Sequence, residues 1–531
     1  MTLWNNDFAN HPSFAIHLRT AIGIHKSSTF EYREYQPRFA ALYSTRPINI
    51  CAGAQGLGKT VITALTVLTL YNVKTLRPGA IQIVVPNQLV SNRWVTDFTR
   101  FSQLLGRIEF ISSEAKAVKS TCPIWIITMD FYKRKSKVAK SIAHRLIKEK
   151  KHPIFLIVDE VHHFKGNSDR FRILKKIRKR VSRLLLLSGT LSDGNIEQIY
   201  DLLKFAYPKN FHWIKSQFLR EFQTKKASAT NYLTGEEDLV DQPTRYLPAL
   251  SVYKIPTYSG IVESKIHRVR LDDPSVKCCI TLPTPEISEY KLELAPDHQA
   301  YYQHLVQTHR SELERLKGYA DTVVGRAKAL QMLEPLIRAV SYPDDFTPTK
   351  LIKCGDLVEA FKDQGKTVIF TDKIGSGRRV HNYLSERFGS QHCVRIYADD
   401  PEIGRMSPAK REETLSQFLW KDDIFAGTFS IRLAGEGIDL LQASSIIFYD
   451  LPWEAIKVAQ AISRCVRPGA VKPFVKIAYL FQRTTIDEHM FRLNQAKQAQ
   501  MSLLLDYSNS DIGQSSHRIN VSDVLDLVLQ G

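Results

Sequence analysis

Short apolar runs alternate with longer amphipathic stretches in the first part of the chain. Each run has four or five residues, and apolar residues at helical spacing lie between the runs. Strands that are apolar on both faces are typical of parallel sheets covered by helices on each side. The runs that predict these strands are residues 47–51, 81–85, 124–127, 154–158 and 184–187. The pattern therefore predicts one doubly wound α/β lobe.

The same alternation returns later and predicts a second parallel lobe. Its strands are expected at residues 368–371, 394–397, 424–426, 446–449 and 475–479. The fold class is thus α/β, with two doubly wound parallel-sheet lobes and helical insertions.

The chain between these two patterned parts is rich in aromatic and charged residues at helical spacing. It also contains a polar, proline-bearing stretch at 224–258. Because a structureless loop of this length is unusual inside a compact domain, we predict an inserted segment, helical and in part flexible. The predicted domains are an N-terminal lobe at 1–270 with an insertion at about 205–262, a C-terminal lobe at 271–500 with a helical insertion at about 296–345, and a tail at 501–531.

A glycine-bearing segment directly follows the first predicted strand. Residues 53–60 read G-A-Q-G-L-G-K-T, and an apolar helix is predicted at 61–70. Such a loop surrounds nucleotide phosphates with backbone N–H groups, its lysine reaches the β- and γ-phosphates, and its hydroxyl binds Mg²⁺. Gln36 upstream is a candidate adenine contact, because its amide both donates and accepts. The predicted nucleotide contacts of this part are Gln36, Gly53, Ala54, Gln55, Gly56, Leu57, Gly58, Lys59 and Thr60.

Two adjacent carboxylates, Asp159 and Glu160, follow another predicted strand about 100 residues later. Asp159 is placed to hold Mg²⁺, and Glu160 to orient or deprotonate the attacking water, the two roles that phosphoryl transfer to water requires. His162 and His163 are neighbours and point in different directions, so a shared metal ion is disfavoured. We assign His162 to a nucleotide-sensing network. The hydroxyls of the Ser-Gly-Thr segment at 188–190 are candidates to link the nucleotide site to lobe movement, and a plain turn is the alternative.

The second predicted lobe carries a glycine-bearing loop at 430–440 and a basic helix after it. Gln460, Arg464 and Arg467 have helical spacing and are expected on one face, where guanidinium groups suit a γ-phosphate. An exposed basic helix face is the alternative. The basic run at 175–180 is interpreted as a covering helix, with a nuclear localisation signal as the other interpretation.

Composition and charge change this picture only in the choice of partner. Lys and Arg number 73 against 54 Asp and Glu, which gives a net charge of +19 and favours a polyanion such as nucleic acid. The seven cysteines form no C-x-x-C pair, so neither a structural zinc nor a disulfide framework is expected. No signal peptide or membrane-spanning run is evident, so we expect a soluble intracellular protein.

The order of the motifs resembles that of superfamily 2 helicases, and most closely that of the SWI/SNF-type DNA translocases. The resemblance covers roughly residues 30–500. The segments that carry it are 56–60 (G-L-G-K-T), 159–165 (D-E-V-H-H-F-K), 186–190 (L-L-S-G-T), 434–440 (A-G-E-G-I-D-L), 450–453 (D-L-P-W), 460–464 (Q-A-I-S-R) and 484–488 (T-T-I-D-E).

This resemblance implies two RecA-like lobes with ATP between them and ATP-driven movement along duplex DNA. It implies catalytic roles for Lys59, Asp159, Glu160, Gln460, Arg464 and Arg467, and nucleotide contacts from Gly437 and Asp439. It also implies that Pro86, Asn87, Thr128, Ser430 and Arg432 line the nucleic-acid groove. The implied protein is a monomeric motor without a membrane, either cytoplasmic and nucleoid-associated or phage-encoded, with a nuclear location left open.

The chain departs from the family pattern at three places. Ala54-Gln55 replace an acidic residue near the loop start, Leu191 replaces a proline, and Ser463 stands where glycine is common. Alternative hypotheses are a strand-separating or branch-migrating helicase, and a nucleotide-gated DNA-binding subunit of a defence or repair assembly. RNA also remains open as the polymer.

Overall fold

The computed structural model describes most of the chain. The described residues are 13–26, 33–133, 146, 149, 151–163, 168–189, 191, 196–209, 211, 214–221, 224–230, 237–243, 254–257, 260–264, 266–317, 323–436, 438–506, 525, 528 and 529. They form two compact units. The first comprises residues 1–223, 243–281 and 504–508, and the second comprises 224–242, 282–503 and 509–531.

The first unit is built on a seven-stranded parallel sheet. In chain order, the strands up to residue 269 are β1 (Ile48–Gly53), β2 (Ile81–Val85), β3 (Ile108–Ile111), β4 (Ile124–Thr128), β5 (Phe155–Val158), β6 (Arg183–Ser188), β7 (Thr224–Thr230), β8 (Glu237–Pro243), β9 (Lys254–Thr257), β10 (Gly260–Ser264) and β11 (Ile266–Val269). The sheet order is β11-β1-β6-β5-β2-β4-β3, and every pairing is parallel. The five predicted strands of this lobe are present, whereas β3 and β11 are additions.

The second unit has a six-stranded parallel sheet. Its strands, with a short pair on the side, are β12 (Thr284–Leu292), β13 (Lys366–Thr371), β14 (Cys393–Ile396), β15 (Asp399–Asp400), β16 (Gly404–Arg405), β17 (Ala426–Ser430), β18 (Ala443–Phe448) and β19 (Phe474–Gln482). The order is β12-β19-β18-β13-β17-β14. The strand expected at 424–426 begins where that range ends. β12 is an additional edge strand whose side chains are mostly exposed.

Helices cover both sheets. The described α-helices are α1 (Phe14–Lys26), α2 (Tyr35–Thr45), α3 (Lys59–Leu70), α4 (Gln88–Thr99), α5 (Glu114–Lys119), α6 (Met129–Lys133), α7 (Asp169–Arg178), α8 (Ile196–Ala206), α9 (Lys215–Glu221), α10 (Pro274–Lys277), α11 (Pro296–Lys317), α12 (Val323–Ser341), α13 (Thr349–Phe361), α14 (Ile374–Phe388), α15 (Pro408–Trp420), α16 (Ala455–Cys465) and α17 (Ile486–Asp506). None of these described helices is long and apolar enough to cross a membrane.

Successive residues of the central strands enter different cores. In β6, Leu184 and Leu186 belong to one cluster and Leu185 and Leu187 to the other. In β13, Phe370 and Ile369 are divided in the same way. Each sheet is therefore covered on both faces, which confirms the predicted fold class of two doubly wound α/β lobes.

The basic run at 175–180 lies largely on helix α7. Ser168 caps this helix by accepting a hydrogen bond from the backbone N–H of Phe171 at 3.3 Å. Leu174 and Ile177 are buried, while the lysines between them are exposed. This is the amphipathic covering helix that was predicted.

The segment predicted as a helical or flexible insertion is different in the structure. Its described parts contain one short helix, α9, and four strands in two pairs, β7–β8 and β9–β10. These strands are polar, so they lack the apolar runs by which the other strands were found. Residues 231–236, 244–253 and 258–259 lie outside the described residues, and the flexibility of this segment stays a prediction. Residues 224–242 of this segment belong to the second unit, and the chain next passes from the first unit to the second at 281/282, eleven residues after the predicted boundary.

Candidate nucleotide-binding site

The glycine-bearing segment forms a loop between β1 and α3. Gly56 and Gly58 have φ values of 83° and 79°, which favour glycine over any other residue. A Cβ atom on Gly58 would also lie 2.6 Å from Nε2 of Gln36. The predicted adenine contact Gln36 therefore packs directly against the phosphate-binding loop. In this arrangement the Lys59 ammonium donates to the carbonyls of Gly53 at 2.9 Å and Ala54 at 3.3 Å.

Two side chains just before α2 and at its start hold the far side of this loop. Nη1 of Arg33 donates to the carbonyl of Gly56 at 2.9 Å, and the hydroxyl of Tyr35 donates to the carbonyl of Leu57 at 2.9 Å. We call Arg33 and Tyr35 the loop clamp. Because the clamp binds carbonyl groups of the loop, it holds the loop backbone in place. The N–H groups of the same peptide units point in the direction opposite to these carbonyls.

Strand β11 fixes the opposite end of the loop. The backbone N–H of Ala54 donates to the carbonyl of Val269 at 2.9 Å, so the N–H of this predicted nucleotide contact is already occupied. Nη1 of Arg268 donates to the carbonyls of Ala52 at 3.1 Å and Gly189 at 3.4 Å. Arg268 thereby connects the phosphate-binding loop to the Ser-Gly-Thr segment.

Asp159 lies just after β5 and is 8% exposed. Its carboxylate accepts hydrogen bonds from Nε1 of Trp94 and from the backbone N–H of Glu160, both at 2.9 Å. Burial raises the pKa of Asp159 to about 6, and the neighbouring Glu160 carboxylate acts in the same direction, while Lys59 opposes them. Asp159 is thus a buried acid whose orientation is set by an indole from helix α4.

Glu160 has a φ of 46°, unusual for a residue with a side chain. Burial acts to raise its pKa, but the hydrogen bond and charge of His162, with the charge of Lys59, hold the pKa below its ordinary value. Nδ1 of His162 lies 3.3 Å from Oε2 of Glu160 and 2.8 Å from Oγ of Ser188. The Ser188 hydroxyl is also 3.5 Å from Oε2 of Glu160. The structure therefore joins the acidic segment to the Ser-Gly-Thr segment through His162.

The donor set at this edge of the sheet fits Mg²⁺. Thr60 begins the first turn of α3 with Lys59, and the carboxylate of Asp159 is near enough to Lys59 for that charge to affect its pKa. Hydroxyl and carboxylate oxygens are the ligands that Mg²⁺ prefers, together with substrate phosphates. Among the described residues, no group of three or more His, Cys, Asp or Glu could hold a metal ion by itself.

Three of the residues predicted to contact nucleic acid, Pro86, Asn87 and Thr128, lie at one edge of the sheet in the first unit. The register of β2 and β4 places Val85 opposite Thr128, so Pro86 and Asn87 emerge beside Thr128. Asn87 accepts a hydrogen bond from the backbone N–H of Val90 at 3.0 Å and caps α4. The hydroxyl of Thr128 accepts from the N–H of Phe131 at 3.3 Å.

The corresponding edge of the second unit contains Ser430 and Arg432. Ser430 ends β17 opposite Thr371 of β13. Arg432 lines a cavity of about 570 Å³ together with Lys373, Arg338 and Tyr342. Basic side chains from the sheet edge and from the inserted helix α12 thus face a common space within this unit.

The predicted basic helix face is only partly correct. Gln460 and Arg464 lie on α16, and Arg464 is 8% exposed. The helix ends at Cys465, however, and its C-cap residue Val466 is not helical. Arg467 therefore does not share the helix face, and it forms an ion pair with Asp439 instead. Gly437 lies outside the described residues.

Several contributors to the site were not among the predicted residues, namely Arg33, Tyr35, Trp94 and Arg268. Arg33 and Tyr35 lie close to Gln36, which is the only residue of this segment that the sequence predicted to be in the site. Trp94 and Arg268 carry no local signal, because each reaches the site from a strand or helix far away in sequence.

Comparisons with known proteins agree with the two-lobe organisation. A model of the SNF2-related domain matches residues 40–339, and a model of the helicase conserved C-terminal domain matches residues 349–469. The structure also aligns with the Sulfolobus solfataricus SWI2/SNF2 ATPase core in complex with dsDNA, at 17% identity, over 91% of this chain and 98% of that one. The TM-score of this alignment is 0.37.

Among curated proteins, the chain is 24% identical to the mouse SWI/SNF-related matrix-associated actin-dependent regulator of chromatin subfamily A member 1, over 94% of this chain and 46% of that protein. It is 26% identical to the uncharacterized ATP-dependent helicase YqhH of Bacillus subtilis, over 84% of this chain and 74% of that protein. The chain thus spans about half the length of the first relative. Because the SNF2-related domain model covers more than half of the chain, this protein belongs to the SNF2-related domain family.

Proposed function

We propose that the chain hydrolyses ATP in response to DNA and uses the energy to move along the duplex. The observation that carries this proposal is the meeting of Lys59, Asp159 and Glu160 at one sheet edge, where the lysine charge affects the pKa of both carboxyl groups. A phosphate-binding lysine beside two differently tuned carboxyls is the equipment that nucleotide hydrolysis requires.

The roles of the residues follow from their surroundings. Lys59 can leave its loop carbonyls and bind the β- and γ-phosphates, while the clamp keeps the loop backbone in place. Thr60 and Asp159 would hold Mg²⁺, which when bound neutralises charge on the phosphate oxygens. Glu160, kept ionised by His162 and Lys59, is suited to orient the attacking water and accept its proton.

The hydrogen bonds of His162 give a route from chemistry to movement. When Glu160 takes up a proton, its attraction for His162 weakens, and His162 also contacts Ser188. Arg268 connects the backbone beside Ser188 to the phosphate-binding loop. We infer that Arg464 of the second unit acts on the γ-phosphate, so that hydrolysis alters the interaction between the two units.

Double-stranded DNA is the proposed track. Support comes from the net charge of +19, the family, and the polar residues at both sheet edges. Phosphate contacts make such binding strongly salt-dependent, because each contact releases counterions. Remodelling of protein–DNA complexes is the proposed outcome of this movement, since the mouse relative is named as a regulator of chromatin.

The test is the ATPase rate with no polymer, single-stranded DNA, duplex DNA, forked DNA and RNA, each at two salt concentrations. Duplex DNA should stimulate at least as well as single strands, and stimulation should fall steeply with salt. Lys59→Ala should weaken nucleotide binding itself, whereas Glu160→Gln should retain ATP and lose turnover. A rate that ignores the polymer, or that prefers RNA, contradicts the proposal. Strand displacement of forked DNA would instead identify a helicase.

A further inference from the structure

Two adjacent cysteines lie in the first unit, at the point where the chain leaves it. Cys278 and Cys279 follow helix α10, and the longest segment of the second unit starts at Leu282. Cys278 is exposed and Cys279 is half-buried, and their Sγ atoms are 3.5 Å apart on the same side of the chain. All seven cysteines are among the described residues and none of them is in a disulfide; four of the others are buried and Cys122 is half-buried.

The geometry favours capture of one ligand by both sulfurs over oxidation to a disulfide. A disulfide needs its sulfurs about 2.05 Å apart and its Cα atoms usually about 4.4–6.8 Å apart. Neighbouring residues have Cα atoms only about 3.8 Å apart, so a bond between Cys278 and Cys279 requires backbone distortion. A soft atom that binds both sulfurs leaves them farther apart than a disulfide does, at a distance closer to their present separation. Thiolates are the protein ligands that soft ions prefer.

Cys279 packs against the hydrophobic cluster to which Tyr35 of the loop clamp belongs. The Cys279 thiol donates to the carbonyl of Ser275 at 3.8 Å, and the Cys278 thiol donates to the same carbonyl at 3.6 Å. Tyr35 donates to the carbonyl of Leu57 in the phosphate-binding loop. A ligand that draws the Cys279 sulfur towards Cys278 therefore disturbs the packing of Cys279 beside the clamp residue Tyr35.

We propose that Cys278 and Cys279 form a bidentate binding site for thiophilic compounds, of which trivalent arsenicals are the representative class, and that occupation of this site weakens nucleotide binding through the loop clamp. With an arsenoxide, two As–S bonds form while two S–H bonds and the As–O bonds break, and the oxygen leaves with both protons as water. Arsenic stays trivalent, so no oxidant or reductant is needed. The effect on nucleotide binding rests on the proposed function, whereas the binding site itself does not.

The first measurement uses phenylarsine oxide and the intact mass of the full chain. One equivalent should give one bridging adduct per chain, which 2,3-dimercaptopropanol removes and a monothiol leaves in place. Cys278→Ser and Cys279→Ser should each abolish the adduct, and Cys122→Ser should retain it. An adduct that survives in both of the first two variants, or that disappears in Cys122→Ser, overturns the site.

The second measurement is the affinity for a fluorescent ATP analogue before and after treatment, without DNA. Treated protein should bind roughly fivefold more weakly, the effect of about one net hydrogen bond. Treated Cys278→Ser should bind like the untreated protein, and its untreated affinity should be normal, because the Cys278 side chain is exposed. An unchanged affinity in protein that carries the adduct overturns the coupling. If untreated protein binds no nucleotide, the proposed function and the coupling both fail, while the mass measurement still decides the site.

Discussion

The two units differ in the segment that joins a central strand to the helix after it. After β1 the chain makes an open loop with two left-handed glycines before α3 begins. After β13, where the chain is described without a gap, no such loop exists, and α14 begins at Ile374, soon after Thr371 and Asp372. The backbone N–H of Asp372 donates to a carboxylate oxygen of Asp450 at 2.5 Å. In the second unit, a carboxylate of the protein thus accepts a hydrogen bond from a backbone N–H group at this position. In a phosphate-binding loop, such an N–H group would donate to the substrate.

Both units nevertheless place a buried aspartate just after a central strand. Burial raises the pKa of Asp159 and of Asp450 to about 6. Asp159 is held by Trp94 beside the phosphate-binding loop, whereas Asp450 is influenced by Lys350 and Asp372 in the interior of its own unit. The same architecture therefore supports a substrate site in the first unit and an internal polar network in the second.

The largest test asks whether the second unit nevertheless takes part in hydrolysis. Arg464→Ala should retain folding and nucleotide affinity but lose hydrolysis by roughly 10³–10⁵, as for other arginines that act on γ-phosphate charge. Arg467→Ala is the matched control, and its loss should be much smaller because Arg467 is off the helix and paired with Asp439. Single-turnover hydrolysis with saturating DNA measures both. Hydrolysis by Arg464→Ala at the unmodified rate would leave the second unit without a catalytic role.

The next test concerns the internal network of the second unit. The ammonium of Lys350 is fully buried and donates to Asp487 at 2.7 Å and to Ser341 at 3.0 Å. Lys350→Met should destabilise this unit by about 3–5 kcal/mol, because it leaves a buried carboxylate without its cation. Lys410→Met, which removes an exposed ion pair, should cost less than about 1 kcal/mol.

Urea unfolding followed by hydrogen exchange reports on β18 and β19 separately from the first sheet. Adding Asp487→Leu to Lys350→Met should recover part of the lost stability. If the single variant is as stable as the parent, the network does not hold the second unit together.

A smaller effect is expected from the indole that orients Asp159. Trp94→Phe keeps the aromatic packing and removes one hydrogen bond to a carboxylate, worth about 1.5–3 kcal/mol. The Mg²⁺ concentration for half-maximal ATPase activity should rise at least about tenfold, the lower end of that range. Trp125→Phe is the control, because it loses a hydrogen bond to Ser120 at 3.1 Å in the same unit. An equal shift in both variants would show a general loss of stability rather than misorientation of Asp159.

The smallest test compares how the units respond to acid. Burial lowers the pKa of His267 on β11 to about 3, and Arg46 contributes in the same direction. Below about pH 6.5 the unfolded chain takes up a proton that the folded form refuses, so stability falls as the pH drops and continues to fall until about pH 3. At about pH 5.5 the loss from this group is about 1.4 kcal/mol.

His267→Phe should remove that loss from the first sheet only. His489→Phe is the counterpart, since burial lowers the pKa of His489 in the second unit to about 4. Hydrogen exchange at about pH 7.5 and about pH 5.5, on either side of the ordinary histidine pKa, separates the two sheets. If the first sheet loses as much hydrogen-exchange protection at the lower pH in His267→Phe as in the parent, the pH dependence of its stability does not come from His267.

The sequence predicted those features whose signal is local. The loop at 53–60, the acid pair and the apolar strands are contiguous patterns, and the structure has them close to the predicted bounds. The helix face with Arg467 failed because a helix end at Cys465 leaves no strong mark in sequence. Trp94, Arg268 and strand β11 were missed for another reason, since their partners are 65 to 216 residues away. The polar strands at 224–264 lack the apolar runs on which strand prediction relied.

Strand β11 has a consequence for the order in which the protein is made. It pairs with β1, which leaves the ribosome more than 200 residues earlier. Until Val269 has emerged, β1 is an open edge on the nascent chain, and the phosphate-binding loop lacks the carbonyl that receives its Ala54 N–H. Open strand edges are sites of mispairing, and contacts between distant residues form slowly. A chain terminated before residue 269 should therefore aggregate during synthesis, even though it contains every residue of the nucleotide-binding motifs in the first unit.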